Sequence, residues 1–118
     1  MFSCHIRYIL DPTKMAEFKE YATTWIALIN NYGGIHHGYF IPGEACDFPD
    51  TTFSFPGLGS TGPEHIAIAL FSFPTIEAYE KYRREVPLDE KCQSITARFK
   101  QSPCFLSYEQ TFLSPVFK

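Results

Sequence analysis

Apolar side chains alternate along the first ten positions. Phe2, Cys4, Ile6, Tyr8 and Leu10 fall on one side, and Ser3, His5, Arg7 and Ile9 on the other. A period of two is that of a strand with one face against a core. The period then changes. Asp11-Pro12 offers a capping side chain followed by a proline at the first helical position. Met15, Phe18, Ala22, Trp25 and Ile29 recur at intervals of three and four, and Tyr21, Leu28 and Tyr32 widen the stripe. Lys14, Glu17, Glu20, Thr24 and Asn31 occupy the other side, so the pattern predicts a long amphipathic helix packed on a core. Gly33-Gly34 ends it, because glycine readily takes the left-handed conformation found at helix C-termini.

Ile35 to Ile41 reads as a second strand. Residues 42 to 63 carry four prolines (Pro42, Pro49, Pro56, Pro63) and four glycines (Gly43, Gly57, Gly59, Gly62), which predicts a long loop. Within it "GLGSTGPE", Gly57 to Glu64, lacks the ending of a phosphate loop and leads into no helix, so it reads as a connector. "HIAIALFSF", His65 to Phe73, is apolar on both faces, as a central strand covered twice would be. Pro74-Thr75 introduces a helix carrying Ile76, Tyr79, Tyr82 and Val86. After Pro87, a second helical pattern places Leu88, Cys92, Ile95 and Phe99 on one face. Cys104 to Leu113 reads as the last strand, closed by Ser114-Pro115. The order β-α-β-β-α-(α)-β predicts an α+β, ferredoxin-like domain spanning 1–118: a four-stranded antiparallel sheet with helices on one face. The doubly apolar third strand predicts that the other face is covered too. A second copy of the chain is the economical cover, since isologous dimers are the commonest oligomers.

Composition sharpens this picture in one respect. Of the 118 residues 45% are apolar and 19% charged, as suits a packed domain, but 17% are aromatic, with 12 Phe and 7 Tyr. A small domain has a large surface for its volume and little interior for so many rings. The excess predicts a second buried surface, either a ligand pocket or a dimer interface. The formal charge of −3 and the lack of a basic run argue against nucleic acid as a partner. "MFSCHIRYIL" does not read as a signal peptide, and no apolar run has the length of a membrane span. Cys4, Cys46, Cys92 and Cys104 are scattered, and four reduced cysteines in a cytoplasmic protein is the simplest expectation.

The histidines are the candidate chemistry. Successive strand side chains point to opposite faces, so His36 and His37 are not expected to share a pocket or to form a metal site. A regular strand places His37, Tyr39 and Ile41 on one face and His36, Gly38 and Phe40 on the other. His5 and Arg7 share a face of the first strand with Tyr8 on the reverse, and His65 begins the third strand. A pocket between the first helix and the sheet is expected to collect Trp25, Tyr21 and one or two histidines. The candidate ligand-binding residues are Tyr8, Tyr21, Trp25, Tyr39 and Tyr108. The candidate bases are His37, His5, His65 and His36, with no metal or cofactor expected. The competing expectation is that these rings simply fill the core.

"DPTKMAEFKEY", "YGGIHHGYF", "EHIAIALFSFPTIEAYEKYR" and "LSYEQTFLSP" together resemble the NIPSNAP family of the dimeric α/β-barrel superfamily, over nearly the whole chain. Gly33, Gly34, Gly38, Tyr39 and Phe40 match that pattern, and Glu109 matches an acid common in the last strand. The first strand departs from it. Where relatives often alternate an acid and an arginine before a tyrosine, this chain has Cys4, Ile6 and Tyr8, unless a shifted register puts Arg7 in the arginine's place. The resemblance implies a ferredoxin-like monomer and a barrel-forming homodimer joined through the sheet face. It implies no particular reaction, because the superfamily includes cofactor-free monooxygenases, haem-handling proteins and isomerases. The expected function is therefore a homodimer that binds a small, largely apolar or aromatic metabolite. The alternatives are a cofactor-independent monooxygenase or isomerase with a histidine base, and a protein-interaction scaffold.

Overall fold

The computed structural model describes residues 1–43 and 48–117. Cys46 and a short part of the 42–63 loop therefore lie outside the described residues. Strand β1 (Phe2–Leu10) leads through a single 3₁₀ turn, Pro12–Lys14, into helix α1 (Met15–Asn31). Asp11 caps the turn: its carboxylate accepts from the Thr13 backbone N–H at 3.0 Å and from the Thr13 hydroxyl at 2.6 Å. At the other end Gly33 takes φ +92°, and the Gly34 N–H reaches back to the Ile29 carbonyl at 2.9 Å, the closing bond of a Schellman cap. Gly34 is required by packing. A Cβ there would lie 2.6 Å from Ile29 Cγ2 and 2.8 Å from Phe73 Cζ, so the turn is pressed directly onto the core.

Strands β2 (Ile35–Phe40), β3 (Ile66–Phe73) and β4 (Phe105–Leu113) complete the sheet. Between β3 and β4 come α2 (Ile76–Glu85), a 3₁₀ turn at Val86–Leu88, and α3 (Glu90–Gln101). Asp89 caps α3 through bonds from the Lys91 and Cys92 N–H groups, and its other carboxylate oxygen accepts from the Tyr32 hydroxyl at 2.8 Å. One acid thus starts α3 and ties it to the end of α1. Leu88 belongs to the turn and is exposed, as is Ile76, so neither joins the stripe predicted for it from the spacing.

The sheet order is β2-β3-β1-β4 with every neighbour antiparallel, which is the ferredoxin-like arrangement. Phe2, Cys4, Ile6 and Tyr8 of β1 lie opposite Phe73, Phe71, Ala69 and Ala67 of β3, and Leu10 opposite Phe105 of β4, facing the helices. The predicted alternation of β1 therefore sets the core face. The opposite face carries Ser3, His5, Arg7 and Ile9, with Ile66, Ile68, Leu70 and Ser72 beside them. No helix of the described residues packs on it.

Strand β2 departs from regular alternation. His36 pairs with Phe71 and Gly38 with Leu70, so His37 is an extra residue in the ladder. This is a β-bulge. Gly38 takes φ +114°, a conformation that L side chains rarely adopt, and its N–H donates to His36 Nδ1 at 2.9 Å. The bulge corrects the expected facing. His36 and Tyr39 share the helix side, while His37, Gly38 and Phe40 belong to the open face.

Candidate functional site

The helix layer and the sheet do not meet everywhere. Between them lies a cavity of about 280 Å³. Its floor is Ile6 and Tyr8 of β1 with Phe71 of β3 and Tyr39 of β2. Helix α1 closes one side with Tyr21, Trp25 and Ile29, and α2 contributes Tyr79, Tyr82 and Arg83. Thr96 and Phe99 of α3, with Phe105, Tyr108 and Gln110 of β4, complete the wall. Tyr8 is the hub: its ring centroid lies 6.4 Å from Tyr21, 6.1 Å from Tyr39 and 6.1 Å from Tyr108. Tyr21 in turn lies 6.2 Å from Trp25. These spacings are those of interacting aromatic pairs, which hold one another in place.

All five aromatic residues proposed from the sequence as ligand contacts, Tyr8, Tyr21, Trp25, Tyr39 and Tyr108, thus line one cavity. Burial raises the pKa of Tyr8, Tyr21 and Tyr39 well above the ordinary phenol range, with neighbouring phenols as lesser causes. These hydroxyls stay protonated at physiological pH and act as neutral donors and acceptors. The Trp25 Nε1 donor is buried without an acceptor among the described residues.

None of the four histidines lines the cavity. His36 comes nearest. The bulge lays its ring 4.9 Å from Tyr39 and 5.6 Å from Phe71, behind the cavity wall. His37 is turned to the open face, where its Nε2 lies 2.8 Å from the Ser72 hydroxyl; Ser72 in turn lies 2.8 Å from the Ser3 hydroxyl. His5 shares that open face because it alternates with Cys4 and Ile6. His65 sits at the loop–strand junction with φ +58° and lies exposed, 3.8 Å from Glu64. Arg7 likewise does not take a place in the cavity. It pairs with Glu109 at 3.3 Å across the open face. Cys4, Cys92 and Cys104 are free and buried, and burial pushes the Cys4 thiol up to about 11, so it is not a nucleophile at neutral pH.

His36 has a measurable consequence. Burial, and next the charge on His37, lower it to about 4. It is neutral at pH 7, and its Nδ1 must be unprotonated to accept the Gly38 N–H. The unfolded chain, with an ordinary histidine, binds the proton from pH 6.5 downward, whereas the folded chain resists until about 4. Stability is therefore lost as pH falls through this window. We expect wild type to lose about 1–2 kcal/mol more than His36→Phe between pH 7 and pH 4.5, allowing for solvent screening at a half-buried site. Urea denaturation at the two pH values measures this difference; equal losses in both proteins would remove His36 as the cause.

A four-stranded antiparallel sheet in this order, with its helices on one face, is a ferredoxin-like fold. Among solved structures, the chain is similar to an uncharacterized NIPSNAP domain protein from Burkholderia xenovorans (16% identity, 98% of this chain and 95% of that one, TM-score 0.70). It is also similar to a NIPSNAP family protein from Agrobacterium tumefaciens (18% identity, 98% and 85% covered, TM-score 0.69). A more distant likeness is to a candidate antibiotic biosynthesis monooxygenase from Nitrosomonas europaea (9% identity, 99% and 100% covered, TM-score 0.61). At these identities the likeness is one of fold. No family model and no curated protein matches the chain. Among the described residues, no helix is long and apolar enough to cross a membrane.

Sequence reasoning did not find Tyr79, Tyr82, Arg83, Thr96 and Gln110 as wall residues. The tyrosines were visible as an inward stripe of α2. Arg83 and Gln110 gave no signal, because each is an ordinary polar residue on a helix or edge strand until the fold sets it beside the cavity.

Proposed function

We propose that this protein is a homodimer that binds a small, largely apolar or aromatic metabolite in the cavity between its helices and its sheet. The observation that carries this reading is the cavity itself. Rings from β1, β2, α1, α2 and β4 surround a space that they do not fill, although protein interiors normally close down to voids no larger than a water molecule. Apolar walls with a few polar groups are the usual composition of a small-molecule site. The cavity wall provides aromatic faces, the neutral phenols of Tyr8, Tyr21 and Tyr39, and an indole N–H, but no histidine. This favours binding over the histidine-base alternative.

The homodimer half of the proposal rests on the open face. Ile68 and Leu70 lie near its middle opposite Arg7 and His5, Ile9 and Ile66 pair at one end, and Ile35, Phe40 and Leu113 are exposed around them. An apolar surface of this kind marks an interaction site, and a matching sheet from a second copy would cover it.

Trp25 is the chain's one tryptophan, so its fluorescence reports on the cavity directly. Naphthalene-2-methanol, a neutral two-ring probe, is expected to bind wild type saturably, with one site per chain by calorimetry and a matching change in Trp25 emission. Thr96→Phe places a ring in the cavity and should weaken this binding at least about tenfold, roughly 1.4 kcal/mol, with an unchanged far-UV spectrum. Wild type without saturable binding, or Thr96→Phe binding as wild type does, would overturn the reading.

A further inference from the structure

We infer that the cavity selects an anionic ligand, an aromatic carboxylate whose ring system lies among the tyrosines and Trp25 and whose acid group meets Arg83; this rests on the reading of the cavity as a ligand site. Arg83 is the single charged residue among those lining the cavity, and no aspartate or glutamate joins it there. Its guanidinium has no ion-pair partner among the described residues, whereas Arg7 is paired with Glu109 and Arg98 with Glu20. The charge is felt at the wall, since Arg83 opposes the effect of burial on the Tyr82 hydroxyl. The remaining polar groups are compatible with an anion. The buried phenols are protonated and carry no negative charge to repel it, and Thr96 and Gln110 add a hydroxyl and an amide.

A guanidinium presents a planar fork of N–H donors that matches a carboxylate in two parallel bonds. Placed at the edge of an otherwise apolar cavity, it favours a molecule with an apolar body and one acidic end. A plainer account of Arg83 exists: it lies in the last turn of α2, where a cation suits the helix dipole. Arg84 satisfies that account equally well, in the same turn, and does not line the cavity. Arg84 is therefore the control.

The test compares naphthalene-2-carboxylate with naphthalene-2-methanol by titration calorimetry at pH 7.5, in wild type, Arg83→Gln and Arg84→Gln. In wild type the acid is expected to bind about tenfold tighter than the alcohol, the scale of one hydrogen-bonded charge contact. Arg83→Gln should erase that advantage, the acid losing about tenfold more affinity than the alcohol, with an unchanged far-UV spectrum to show that the fold is intact. Arg84→Gln, with the same change in net charge, should preserve the advantage. Equal affinities of acid and alcohol in wild type would overturn the inference while leaving the cavity a ligand site. So would an equal loss in the two arginine variants, or an acid preference that survives Arg83→Gln. If neither probe binds wild type, the ligand-site reading fails and takes this inference with it.

Discussion

Phe73→Ala is expected to lower the stability of the folded chain by about 3–5 kcal/mol, the range for truncating a fully buried phenylalanine. Phe73 has no exposed surface. Its ring lies 5.1 Å from Tyr82 and 5.4 Å from Tyr79 on α2, and 6.1 Å from Phe71 in its own strand. It also fills the space against which Gly34 is pressed. Removing it opens a void at the meeting point of the α1 cap, α2 and β3, where neighbours fixed by a helix end and a sheet ladder have little room to collapse. A loss of this size is a large part of the roughly 5–15 kcal/mol typical of a domain. Urea denaturation at one fixed protein concentration should show a lower midpoint with an unchanged slope. A loss below about 1.5 kcal/mol would mean that the core closes over the gap, contrary to this account.

The second large effect concerns association. Leu70→Asp is expected to turn the proposed dimer into a folded monomer, raising the dissociation constant about a thousandfold or more, the scale of burying a charge without a partner. Leu70 lies on the open face in the central strand β3, opposite His5 on one side and Gly38 on the other. In a single chain the new carboxylate has solvent above it and no bulky neighbour at Gly38. Pressed against a second sheet, it would be an unpaired buried charge, which costs several kcal/mol. An isologous interface contains the substitution twice. Sedimentation velocity across micromolar concentrations, with far-UV circular dichroism to verify folding, measures this. Wild type sedimenting as a monomer would remove the dimer from the proposal, and a Leu70→Asp dimer as tight as wild type would place the interface elsewhere.

Much of the fold was legible because its signals are local. The period of two in Phe2–Leu10, the three-and-four spacing from Met15 to Ile29, the Asp11-Pro12 start and the Gly33-Gly34 stop each state a backbone preference within a few residues. The observed elements follow them closely. Tyr8, Tyr21 and Trp25 meet in one cavity for the same reason, since each lay on a stripe facing the core. The histidines were harder. Reading "IHHGYF" as a regular strand puts Tyr39 beside His37, yet Tyr39 stands beside His36. A single extra residue reverses the facing of every later position in its strand. Whether that residue is accommodated depends on how β2 pairs with β3, and that pairing is not written in β2.

Element order, caps and the inward sides of β1 and α1 were thus determined by the sequence alone, because they depend on contacts between near neighbours along the chain. The tertiary structure decided the bulge at His37, the exclusion of all four histidines from the cavity wall, the volume left unfilled, and the arrival of Arg83 at its edge. Each of these results from the mutual packing of elements far apart in sequence: a void is what remains when several surfaces have met, and no one segment encodes it.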